Sequence, residues 1–153
     1  MRKPQFIARH RGGLLSAEHH RQLMKWALAM VEHLAIYLCV PIEARVGEAL
    51  EVGRGWSEGR VGTGEAIASS RAVHRHARGI EDPVYKLFCR SVGQAVATAH
   101  MADHSLGPIY YGHKLMKLLD QDAEKEGSWQ LSKLQELCPE LVPVIKDELP
   151  KLI

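Results

Sequence analysis

His100 and His104, in the stretch "ATAHMADHSLG" (97–107), are the residues whose types and spacing could do chemistry. Positions four apart on a helix share a face, and two imidazoles placed there can hold one metal ion. No glutamate stands between them in the position a zinc-protease helix requires. A third ligand would have to come from elsewhere, and His33 and His113 are the candidates. The competing reading is structural. A partly buried imidazole satisfied by a hydroxyl or carbonyl obeys the rule that buried polar groups are hydrogen-bonded. Asp103 and Ser105 are near enough in the chain to supply such partners. Nine histidines in 153 residues also make coincidental pairs common.

The pair with one further histidine resembles DinB-like metal-binding bundles in that pattern alone. Asp103-His104 reverses the histidine–aspartate order of helical metal phosphohydrolases. The structural reading is preferred, so no metal or other cofactor is expected; a metal site on His100, His104 and either His33 or His113 is the alternative. Other motifs fail on chemistry. Gly53 and Gly55 begin a dinucleotide-like pattern, but the third glycine, Gly59, falls one residue late and no strand precedes it. Gly59 to Gly64 has phosphate-loop spacing, yet Glu65 stands where the lysine belongs. Asp120, Asp122 and Glu124 mimic a calcium loop, but Lys125 replaces its turn glycine and Leu131 its closing glutamate.

The elements that must position the histidines are helical. Ser16 is a good N-cap for a helix to about Leu38, with Leu23, Trp26, Ala27, Met30, Val31 and Leu34 on one stripe. Pro41 suits the first turn of a second helix, continuing to about Trp56. Thr63 caps a third, to about Arg78, which Gly79 can end in a left-handed conformation. Asp82-Pro83 starts a fourth. From Val92 to Met101 its residues are small or apolar around nearly the whole circumference, with Gln94, Thr98 and His100 the exceptions. A helix apolar all round is buried, so residues 84–106 are expected to form the central helix. A fifth helix runs over 108–119. "DQDAEKEGS" reads as a polar connection, Ser128 as the cap of a helix to about Leu137, and Pro139 as the start of a last segment that Pro143 keeps short. No stretch alternates as strands do. The expectation is an all-α single-domain bundle over 16–153, preceded by a basic N-terminal arm over 1–15.

Composition excludes several classes. Hydrophobic content of 46% and charged content of 25% are ordinary for a globular chain. No run of about 18 apolar residues occurs, so no membrane span is expected. "MRKPQFIARHRGG" lacks the apolar core of a signal peptide, and a cytoplasmic location is expected. Cys39, Cys89 and Cys138 are odd in number and far apart, so no disulfide framework is indicated. Residues 1–40 carry six Lys/Arg against two Glu, but the net charge is only +2. Phosphate binding needs a sustained basic surface, so nucleic acid is not the expected partner. The arm reads as solvated and partly flexible.

Three blocks carry a wider resemblance: "FIARHRGGLLSAEHHRQLMKWA" (6–27), Trp56 with Gly59 and Gly64-x-Ala66, and "RSVGQAVATAHMADHSLGPIYYGHK" (90–114). Together they resemble the immunity-five-like family of bacterial immunity proteins, found beside polymorphic toxin genes. The likeness covers most of the chain to about residue 130. Pro108 and "HRHARGIEDP" depart from the family pattern. The resemblance implies an all-helical protein without established catalysis that neutralises a cognate toxin. It makes His100, Asp103, His104, Ser105 and Gly107 a signature of the fold, with the histidines orienting a turn between two helices. Stoichiometric occlusion of a toxin needs a complementary surface and no catalytic group. Arg71, Arg75 and Arg78, at helical spacing, and Arg11 in "HRGG" are the candidate partner-binding residues, together with the exposed parts of "WSEGR". Oligomeric state is not encoded in any of these patterns.

Overall fold

Ser16 starts the first helix as its spacing predicts: the His19 N–H donates to Ser16 Oγ at 3.0 Å, satisfying one of the donors a helix start leaves open. The computed structural model describes residues 2–153. It places α1 at Ala17–Leu34, α2 at Ala44–Ser57, α3 at Thr63–Arg78, α4 at Pro83–Ala97, α5 at Gly107–Leu118, α6 at Ala123–Leu137 and α7 at Val142–Glu148. Short 3-10 turns fill several of the connections. No strand occurs among the described residues beyond an isolated bridge between Ala8 and Leu15. The fold is all-α.

α4 is the centre. It packs against α1, α2, α3 and α5. Phe88, Cys89, Ser91, Val92, Ala95 and Val96 along it are fully buried, as a helix apolar around its circumference must be. It is shorter than the expected 84–106. The N–H groups of Thr98, Ala99 and His100 turn to carbonyls three residues back, in 3-10 fashion, and Met101 is extended at φ −144°. His20 Nε2 donates to the Thr98 carbonyl at 2.5 Å, tying α1 to this turn. Ala102–Leu106 then form a 3-10 turn leading into α5.

Other boundaries also move for local reasons. Asp122, not Ser128, caps α6: its Oδ1 accepts the Lys125 N–H at 2.9 Å. Glu124 and Glu126 follow in the first turn, where the helix dipole favours acids. The stretch expected to be a polar connection is therefore helix start. Pro41 lies before α2, whose N-cap is Glu43. Gly79 ends α3 at φ −90°, not left-handed. Pro143 falls in the first turn of α7, where a missing N–H costs nothing.

The N-terminal segment is packed, not a solvated arm. Phe6 and Leu15 are buried and belong to the same core as α1 and α4. Two backbone bonds, Leu15 N–H to Ile7 O and Arg9 N–H to Leu15 O, close it into a loop. The turn of this loop needs its two glycines. Gly12 has φ +88°, and a Cβ on Gly13 would lie 2.0 Å from the Ile7 carbonyl oxygen. Ion pairs fasten the start of the segment: Arg2 to Asp103, and Lys3 to Glu148 near the end of the chain. Among the described residues, no helix is long and apolar enough to cross a membrane.

Candidate functional site

The turn between α4 and α5 gathers the signature residues. His104 Nδ1 meets Gln94 Oε1 at 2.7 Å. The amide oxygen only accepts, so this bond places the proton on Nδ1. Gly107 lies against the same glutamine: a Cβ there would come within 2.3 Å of Gln94 Cβ. Gln94 thus anchors both the 3-10 turn and the first residue of α5 to α4. Thr98 Oγ1 donates back to the Gln94 carbonyl at 3.4 Å. Ser105 is buried, and its Oγ has no hydrogen-bond partner among the described residues.

On the other side of this turn lies a cleft of about 110 Å³ between the N-terminal loop, α1, α2, the start of α3 and the α4–α5 turn itself. His10, Arg11, His20, Trp56, Thr63 and His100 line it. Trp56 forms a wall, held by its Nε1–H on Thr63 Oγ1 at 3.0 Å and meeting His20 edge-on, with centroids 4.8 Å apart. A wider groove of about 420 Å³ continues past His10 and Trp56, flanked by Arg9 and Arg21.

Electrostatics sets the character of the cleft. Burial first, then the neighbouring His104, Arg71, Arg11 and Arg2, hold His100 below the ordinary imidazole range. Burial also lowers His104, against the pull of Asp103. It lowers His20 as well, against the Thr98 carbonyl, and His74, helped by Arg90, His104 and Arg78. Of these, His20 and His100 line the cleft, with Arg2 and Arg11 beside them. Asp103 is the carboxylate beside them, 3.3 Å from Arg2 Nε. His100 Nδ1 is buried with no hydrogen-bond partner among the described residues.

The candidate residues are distributed as follows. His100, Asp103, His104, Ser105 and Gly107 share the α4–α5 turn. The two imidazoles do not stand on one α-helical face; their centroids are 5.4 Å apart and tilted by 43°. Neither proposed third ligand joins them. His33 Nδ1 pairs with Glu126 at 3.0 Å, and its ring stacks on Trp129 at 3.7 Å. His113 lines a separate cavity with Ile109 and Ala123. Arg11 and Arg71, sixty positions apart, both act on His100. Arg78 acts on His74 instead, and Arg75 is exposed further along α3. Sequence reasoning missed Arg2 and His20 as members of this site. Both reach it by long-range contacts that leave no periodic signal. Gln94 had a signal, being one of the few polar positions on the apolar α4.

A family model described as "Imm-5 like putative immunity protein" matches residues 13–137. No curated protein and no solved structure matches the chain.

Proposed function

The chain belongs to the family of Imm-5 like putative immunity proteins, its match running from α1 through α6, and from that premise we propose that it binds and neutralises a cognate bacterial toxin of a polymorphic toxin system. Neutralisation works by occlusion in the cytoplasm of the producing cell: the protein covers the toxin's active surface and performs no chemistry on it. The observation that carries this reading is the cleft in which Arg11 and His10 of the N-terminal loop stand with His20, Trp56 and His100. Arg11 on the wall of this cleft, with Arg9 and Arg21 flanking the groove beside it, suits an acidic side chain of a protein partner. Arginine presents a fork that matches a carboxylate bidentately, and arginine and tryptophan are the residues that dominate interface energetics. Trp56 forms the adjoining apolar wall. Arg75 and Arg78 extend the same cationic character along exposed α3. A stable complex of this kind buries about 1,200–2,000 Å² in total, so the cleft supplies the anchor of a larger surface.

Co-expression with the toxin domain encoded beside it tests the proposal. Host cells are expected to survive, and the two proteins to co-elute on gel filtration. Arg71→Glu is expected to weaken the complex by at least about tenfold, near 1.4 kcal/mol, with an unchanged melting temperature because Arg71 is exposed. Cell death identical to that without this protein, and no complex on the column, would overturn the reading. Rescue that survives Arg71→Glu and Arg11→Glu together would place the inhibitory surface elsewhere.

A further inference from the structure

We infer that His19, Cys138 and Glu140 form a site for a thiophilic divalent metal ion of the zinc class, joining the start of α1 to the junction of α6 and α7. The sequence reading, confined to helical spacing, expects no metal ion. Three-dimensional proximity brings these three together from opposite ends of the chain. An imidazole nitrogen, the Cys138 sulfur and a Glu140 carboxylate oxygen all lie within 4.8 Å of one another. Cys138 Sγ is 3.6 Å from Glu140 Oε2. Bonds of about 2.0–2.3 Å to a tetrahedral zinc ion place neighbouring ligand atoms about 3.3–3.8 Å apart. The sulfur–oxygen distance already falls in that range, and small rotations bring the third atom in.

The backbone supports this use. His19 sits in the first turn of α1, its N–H fixed by the Ser16 cap. Cys138 ends α6 with its N–H on the Leu134 carbonyl at 2.7 Å, and its own carbonyl accepts from Leu141. The sulfur is fully buried and the carboxylate exposed, so a fixed soft ligand faces one that can adjust. Neither His19 nor Glu140 belongs to an ion pair among the described residues. Sulfur with imidazole favours zinc over magnesium or calcium, which prefer all-oxygen sets. Three protein ligands leave a fourth position for water. On binding, the Cys138 thiol releases its proton to solvent and coordinates as thiolate; nothing is oxidised or reduced. Cys138 and Glu140 fall outside the span 13–137 that matches the family. The site is therefore independent of the immunity reading, and each can fail without the other.

The experiment uses the full, untagged, reduced and metal-stripped chain, titrated with cobalt(II) and then zinc(II). A thiolate-to-cobalt charge-transfer band that saturates at one ion per chain and is displaced by zinc is expected. Cys138→Ser should abolish the band, while Cys39→Ser, at the exposed thiol, should leave it intact. His19→Ala and Glu140→Gln should each weaken zinc binding at least about tenfold. No band at one equivalent, or a band that persists in Cys138→Ser, overturns the inference. If Cys138→Ser loses its helical circular dichroism, Glu140→Gln decides, being at an exposed side chain: unchanged zinc affinity there overturns the site. Loss of binding in His100→Ala with His19→Ala unaffected would move it to the other histidines and equally overturn it.

Discussion

His20, His74, His100 and His104 are each held below the ordinary imidazole value of 6.5, with burial the first cause in all four. The folded protein therefore binds fewer protons than the unfolded chain between the lowered values and 6.5. Stability rises with pH wherever the unfolded state holds more protons. These groups thus favour folding fully above 6.5, and that contribution is lost as pH falls through it. Glu43 and Glu148 lie below the usual carboxylate value, held first by hydrogen bonds to His76 and Lys3. They add to the loss only at more acidic pH. Melting temperature is expected to fall between about pH 7.5 and about pH 5.5. His104→Gln, which can still donate to Gln94, should flatten that slope. A flat profile in the parent protein would mean that the imidazoles are better solvated than their surroundings imply. Cys89 and Tyr85 are pushed up to about 12 by burial, so neither contributes in this range.

The join between α4 and α5 depends on space as much as on bonding. Gly107 is not in a left-handed conformation; its φ is −57°. What it provides is room, because a Cβ would strike Gln94 at its own Cβ. That atom is next to the backbone and cannot swing aside. Gly107→Ala is therefore expected to cost about 1–3 kcal/mol, as overpacking does, when measured by chemical denaturation. Gln94→Ala leaves Gln94 Cβ in place, so it should relieve only the 2.5 and 3.0 Å clashes with the outer side-chain atoms. It also removes the His104 bond. The double variant should thus recover part of the loss, a non-additivity that identifies direct contact. Gly112 offers a control in α5. A Cβ there meets its nearest atoms at 3.3 Å, and Gly112→Ala should cost less than Gly107→Ala.

At the scale of the molecule, one core runs from Phe6 to Ile145, and the N-terminal segment is part of it. Phe6 is 5% exposed. Phe6→Ala is expected to destabilise by about 3 kcal/mol or more, in the range for losing a buried aromatic ring, with a matching drop in the urea midpoint. A flexible arm would show no such effect. The ion pairs to Asp103 and Glu148 are partly exposed and add little beside this burial. The segment also builds the candidate cleft, since His10, Arg11 and Arg2 form one side of it. Loss of its packing should therefore weaken toxin binding together with stability, whereas Arg71→Glu should separate the two.

The helices were legible because their causes are local. Ser16 and Asp82 cap through bonds to N–H groups two or three residues on, and the apolar stripe of α1 and the apolar circumference of α4 are periodic in the chain itself. The all-α class and the central place of α4 follow from that. The family was legible too, in blocks around Trp26, Trp56 and His100. What tertiary structure decided is every feature whose cause is distant. The turn after Ala97 is tied to α1 by a histidine 78 positions away, through the Thr98 carbonyl. The N-terminal arm packs because α1 and α4 offer Phe6 and Leu15 a core that no local pattern announces. Arg11 and Trp56 line one cleft with His100, and His19 nears Cys138, only after the chain has closed over itself. Helix formation and capping are decided within a turn or two of backbone, whereas a site is an encounter between side chains whose separation in sequence carries no trace of it.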